Sequence, residues 1–164
     1  MDAKTDPQAP RMQRMEHWLI RCESCGTIDH TYTFPDLGSY GRGVGRTCSG
    51  ELAEFSAWED PVYEELLTIV RTLVNDSVSV SRVRKCFNMV MSLAADPAPS
   101  GDRYTFTGRL CCRLCGSDAN WYRPGEPELE EIHLPLVTHH EWECLNLEDK
   151  TKMVEAALCS FGCI

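Results

Sequence analysis

Two segments about ninety residues apart, Cys22-Glu23-Ser24-Cys25-Gly26 and Cys112-Arg113-Leu114-Cys115-Gly116, repeat one pattern, Cys-x-x-Cys-Gly. Thiols at this spacing grip a tetrahedral ion from one side. The glycine that follows supplies the positive φ that aims backbone N–H groups at the sulfurs. Four thiolates from two such knuckles complete a structural zinc shell, so a fold for this chain has to bring two distant turns together.

Two arrangements satisfy the motif. In the first, Cys22, Cys25, Cys112 and Cys115 share one ion, with no ligand left over. In the second, each knuckle holds its own ion, with Cys48 as an additional ligand in one half and His139, His140 or Cys144 in the other. The second lacks a clear fourth ligand in the first half unless His17 or His30 serves, so the shared shell is preferred. Both arrangements are closed and therefore structural, because a catalytic zinc keeps a position for water.

The 164 residues carry a formal charge of −9, from 25 acidic against 16 basic side chains. That balance opposes sequence-independent nucleic-acid binding, which needs a cationic face, and suits docking onto a basic protein. A hydrophobic content of 43% is enough for a packed interior. No apolar run approaches the roughly 20 residues of a membrane helix. Residues 1–15 read as a flexible leader without the apolar stretch of a secretion signal, so a cytoplasmic location is expected. In that setting the ten cysteines are expected to be metal ligands and free thiols rather than a disulfide framework. Cys86, Cys111, Cys144, Cys159 and Cys163 read as small apolar filler or exposed thiols.

Periodicity predicts an α+β fold, a single zinc-stapled domain over 16–164. Glu16 to Cys22 reads as a strand into the first knuckle, and Ile28, His30, Tyr32 and Phe34 alternate on the return, a zinc-ribbon-like hairpin. The glycines of Gly38 to Arg46 read as a flexible loop, since no Lys-Ser/Thr follows to make a phosphate loop. Asp60 and Pro61 open a helix faced by Leu66, Leu67, Ile69, Val70, Leu73 and Val74. A second helix starts among Ser77, Ser79 and Ser81, with Val80, Val83, Phe87, Val90, Met91 and Ala94 at helical spacing. The Pro-rich stretch from Asp96 to Asp102 is the expected linker between halves 16–95 and 103–164. A second hairpin then surrounds Cys112 and Cys115, and Asn146 with Asp149 caps a C-terminal helix. The two zinc-ribbon-like hairpins would thus flank a central helical pair. Each half also carries a Trp-Glu pair after its knuckle, Trp58-Glu59 and Trp142-Glu143, a faint internal duplication.

Catalytic readings fit poorly. A disulfide oxidoreductase needs Cys-x-x-Cys at a helix N-terminus, and both knuckles sit in hairpin-like turns. A zinc deaminase has His-x-Glu before Pro-Cys-x-x-Cys, whereas His139 and Glu141 follow the knuckle and no proline precedes it. A zinc-stapled nuclease built on His139-His140 would meet an acidic chain. A non-enzymatic role is therefore expected.

The paired knuckles, together with the segment from Leu134 to Trp142 and the charged helix after it, resemble double-CxxCG proteins. These include bacterial immunity proteins encoded beside secreted polymorphic toxins. The resemblance covers two five-residue motifs and one tail segment, and the long two-helix insertion between the knuckles departs from it. It implies an inhibitor that binds a basic toxin domain and blocks its active site. A zinc-ribbon adaptor or regulator bridging proteins of the same cell is the alternative, and a zinc-stapled nucleic-acid-acting enzyme a weaker one. The expected binding surface is the region after the second knuckle: Trp121, Tyr122, Glu126, Glu128, Glu130 and Glu131, stiffened by Pro124 and Pro127.

Overall fold

The computed structural model describes residues 11–35, 41–74, 79–106, 110–122 and 125–164, and it is an α+β protein. The main sheet is built on β1 (Arg11–Cys22), which begins inside the segment expected to be leader. Met15 explains the early start: it is fully buried, so the strand gains an apolar anchor before Glu16. On one edge β1 pairs antiparallel with β2 (Ile28–Thr33). On the other edge it pairs with β6 (Asp118–Tyr122) near the knuckles and with β7 (Glu128–Leu134) nearer its start. β5 (Leu110–Cys111) completes the sheet beyond β6.

β6 and β7 run in the same direction along one edge of β1, like one strand interrupted. Tyr122 stands opposite Leu19 and Glu128 opposite His17, so on β1 only Trp18 separates the two pairings; residues 123–124, with Pro124, lie outside the described residues. Of the acidic stretch expected in one turn, Glu128, Glu130 and Glu131 lie in a strand and Glu126 precedes it. On β7 the period of two sends Glu128 and Glu130 to one face and Leu129 and Glu131 to the other.

A two-stranded sheet joins β3 (Arg42–Arg46) to β4 (Leu52–Ser56). The glycines expected in a flexible loop therefore lie partly in a strand; residues 36–40 are outside the described set. Their spacing has a packing cause. A Cβ on Gly43 would sit 2.3 Å from the Phe55 ring, and one on Gly45 would sit 2.3 Å from the Phe106 ring. Bare backbone lets two aromatic rings lie on the strand.

The helices follow the sequence signals closely. Asp60 Oδ1 accepts from the Val62 N–H at 2.9 Å and opens α1 (Pro61–Val74). α2 (Val80–Val90) begins after Ser79, whose side chain makes no capping bond, and Val80 is exposed rather than on the core face. A one-turn helix α3 (His140–Glu143) precedes α4 (Leu147–Ser160), which Asn146 caps by accepting from the Asp149 N–H at 2.9 Å. The three long helices close over a core that includes Tyr63, Leu66, Val70, Phe87, Val90, Trp142, Val154 and Leu158. Trp142 donates to Glu65 at 2.8 Å, and Lys150 pairs with the same carboxylate at 2.8 Å, which ties α4 to α1. Trp58 is exposed where Trp142 is buried, so the two Trp-Glu pairs do not occupy equivalent environments.

The Pro-rich segment is knitted into the fold. Asp96 accepts from the Thr138 hydroxyl at 2.6 Å and from the N–H groups of His140 and Glu141 at 2.9 and 2.8 Å. Ala98 is buried beside Ala53 and Tyr104. Among the described residues no helix is long and apolar enough to cross a membrane.

Candidate metal centre

β1–β2 and β5–β6 each close on a knuckle, and the two knuckles have the same backbone. Cys22 N–H donates to Thr27 O at 2.9 Å and Gly26 N–H to Cys22 O at 3.2 Å. The matching bonds, Cys112 to Ser117 and Gly116 to Cys112, are both 2.8 Å. Gly26 and Gly116 have φ of 73° and 70°, the left-handed turn that the motif predicts.

Pairing of β1 with β6 sets Cys22 opposite Ala119 and brings the two turns face to face. The four sulfurs all lie within 4.8 Å of one another. Cys22 Sγ is 3.4 Å from Cys115 Sγ, Cys25 Sγ is 3.6 Å from Cys112 Sγ, and Cys25 and Cys115 sulfurs are 3.7 Å apart. A tetrahedron with zinc–sulfur arms of about 2.3 Å has edges of about 3.8 Å. Cys22, Cys25, Cys112 and Cys115 therefore lie close enough to bind one metal ion, at separations compatible with zinc. The Cys25 N–H points at Cys22 Sγ, 3.4 Å away, as the knuckle geometry requires.

The thiols differ in acidity. The Thr27 hydroxyl and N–H pull Cys25 down to about 6, and the Ser117 hydroxyl and N–H lower Cys115 in the same way. At Cys22 the Cys25 N–H favours the thiolate, but desolvation and the sulfurs of Cys115 and Cys25 outweigh it and hold the group up at about 11. Each knuckle so presents one readily ionised sulfur on its exposed side. Thr27 and Ser117, both two residues past the second cysteine, are neighbours of these sulfurs that the Cys-x-x-Cys-Gly pattern alone does not single out. Their matched spacing is the signal that could have found them.

The additional ligands expected from the sequence lie elsewhere. Cys48 is joined to Cys111 in a disulfide, which anchors the β3–β4 turn to β5, so neither is a free ligand or thiol. His139 is buried between Asp60, 2.7 Å from its Nε2, and the Ala94 carbonyl, with its ring edge-on to Tyr63. Asp60 and Ala94 raise the His139 pKa although burial works against the charge. Cys144 is exposed, and His17 and His30 meet through their ring nitrogens at 2.6 Å. Arg46 makes a further link that sequence reading missed: it is buried, bonds Asp29 on β2 at 2.6 Å and donates to Cys111 O at 3.0 Å.

The expected binding residues are separated by the sheet register. Trp121 stands opposite Ile20 on the face of Trp18, Leu129 and Glu131, whereas Tyr122, Glu128 and Glu130 share the other face with His17. Along β1 the first of these faces leaves Met12, Leu129 and Trp121 exposed at 51%, 49% and 45%. Comparisons with protein-family models, curated proteins and solved structures found no match.

Proposed function

We propose that this protein is a zinc-stapled immunity protein that neutralises a cognate toxin domain by binding it and covering its active site. Zinc in the four-thiolate shell is structural in this reading. Four sulfurs fill a tetrahedral ion and leave no position for water or substrate. The observation that carries the proposal is an exposed face of the main sheet. Met12, Leu129 and Trp121 are large apolar side chains exposed along it, with Glu16 and Glu131 on the same face and Arg14 directly opposite Glu131. A sheet platform of apolar anchors with carboxylates among them suits a basic protein cleft: the anchors supply most of the affinity and the charges steer encounter. Resemblance of the knuckles to double-CxxCG immunity proteins supports the same reading, as does the formal charge of −9.

The test is co-expression with the C-terminal toxin domain encoded beside this gene. Rescue of growth and a stable complex on size exclusion are expected, and both are expected to weaken at least tenfold with Trp121→Ala and Leu129→Ala together. Absence of both rescue and complex would overturn the proposal in favour of an adaptor for the cell's own proteins.

A further inference from the structure

The face of the main sheet opposite Trp121 carries a second cluster of side chains of metal-ligating type, apart from the knuckles. Tyr32, His17 and Glu128 stand directly opposite one another across β2, β1 and β7, with His30 and Glu130 on the diagonals. The ligand atoms of His17, Glu128 and Glu130 lie within 4.8 Å of one another. His17 Nδ1 is 2.7 Å from a Glu130 oxygen. On its other side, Nε2 is 2.6 Å from His30 Nδ1. The His17 ring thus meets that of His30 edge to edge, with centroids 4.8 Å apart, and stacks on that of Tyr32 at 5.1 Å. The Tyr32 hydroxyl donates to the second Glu130 oxygen at 3.0 Å, which fixes the carboxylate. Side-chain exposures of 17% for His17 and 38% for Glu130 leave the group reachable from solvent.

We infer that His17, Glu128 and Glu130 bind a divalent first-row transition cation, with His30 and Tyr32 as positioning residues. One imidazole and two carboxylates form a mixed nitrogen–oxygen donor set that neutralises a doubly charged ion and favours such cations over calcium or magnesium. The second imidazole gives this cluster what a simple ion pair does not need. A metal-bound histidine uses one nitrogen as ligand and donates its other N–H to a fixed acceptor, and His30 Nδ1 is placed to be that acceptor. Nδ1 would then face the ion while Nε2–H stays on His30. Three protein ligands leave further positions for water, in contrast to the four-thiolate shell. This inference does not rest on the toxin-binding reading.

The test adds Co2+ to protein already loaded with zinc, since thiolates retain zinc at the knuckles. Paramagnetic shifts of ring protons and calorimetry report the second site. One saturable equivalent beyond the knuckle zinc is expected, with the largest shifts on His17 and His30. His17→Ala and Glu130→Gln are each expected to weaken binding more than tenfold, and His30→Ala about tenfold. Glu128→Gln, at an exposed position, serves if the His17 variant does not fold. Shifts spread over the acidic surface without saturation would overturn the inference. So would unchanged affinity in the Glu128 and Glu130 variants, or thiolate-to-cobalt absorption accounting for all the bound ion.

Discussion

Around α1, α2 and α4 the chain buries a continuous set of apolar side chains from Val62 to Cys163, whereas beside the knuckles the buried apolar cluster is Ile20, Leu110 and Ala119. The helical region has what a small domain needs to hold itself: capped helices, interdigitated aromatics and the Trp142–Glu65–Lys150 tie. The knuckle region has strand ladders and very little oil. Its cohesion comes from the Cys48–Cys111 bond and the buried Arg46–Asp29 pair, to which a metal held by the four clustered sulfurs would add a third cross-link. Where a sheet cannot bury enough apolar surface, metal binding and covalent closure take over the role of a core.

Metal removal is the most forceful test of this contrast. A structural zinc shell contributes on the order of 10 kcal/mol of binding free energy that is also folding free energy. Chelation, or Cys112→Ser, is expected to abolish amide-exchange protection over 16–33 and 110–122. Protection in α1 and α4 should persist or fall by a much smaller factor. Equal loss in both regions would mean that they unfold as one unit and that the helical core is not self-sufficient.

Next in size is the disulfide. It closes a loop with a sequence separation of 63 residues, for which chain-entropy reasoning gives about 4 kcal/mol as an upper figure. Cys48→Ser is expected to lower stability by about 2–4 kcal/mol in denaturant titration under oxidising conditions, and by nothing further in the presence of reductant. A variant as stable as the parent in both conditions would show that Arg46 and the strand pairing hold β3–β4 in place without the cross-link.

The difference between the two regions also explains what could be read in the sequence. Helix caps and apolar periodicity are local, so Asp60, Asn146 and the faces of α1 and α4 appear where the residues predict them. The knuckles are likewise local motifs with a geometric requirement, the positive φ at Gly26 and Gly116. Partnership between distant segments has no comparable signature. Nothing in the neighbourhood of Cys48 or Cys111 marks them as a pair, and the mostly polar run from Arg11 to Arg14 joins the strand that Met15 anchors because β7 lies against it. Splitting of the Glu128–Glu131 patch between two faces follows from a strand assignment where a turn was expected. Gly43 and Gly45 misled in the same way: their role is set by Phe55 and Phe106, which lie elsewhere in the chain.

In the helical region the expected effects are smaller and begin with pH. Burial disfavours both charges of the His139–Asp60 pair, but the hydrogen bond between them and the Val62 and Ala94 contacts prevail, so Asp60 is lowered and His139 raised. The lowered Asp60 contributes above its unfolded value of 3.8 and loses that contribution as pH falls through its folded value. The raised His139 contributes fully below its unfolded value of 6.5 and loses it as pH rises through its folded value. Stability from this pair is thus complete between those limits. Above pH 6.5 it is expected to decline as pH rises through the raised folded value of His139. Asp60→Asn keeps the cap on α1 and should flatten that alkaline decline. An unchanged pH profile in Asp60→Asn would assign the decline to other groups.

The smallest effect concerns Tyr63, at the centre of the helical core. Its ring packs edge-on against Phe55, Phe87 and His139, so the aromatic face has clear packing partners. Its hydroxyl is buried with no hydrogen-bond partner among the described residues, and burial together with the Asp60 charge raises its pKa. A buried donor without a partner carries its full desolvation cost, so removing the oxygen relieves a penalty instead of breaking a bond. Tyr63→Phe is therefore expected to leave stability unchanged or raise it by up to about 1 kcal/mol, measured as the denaturation midpoint at constant slope. A loss of 1 kcal/mol or more would reveal a partner for the hydroxyl, with bound water the simplest candidate. It would also show that the helical core, like the knuckle sheet, depends on a polar contact at its centre.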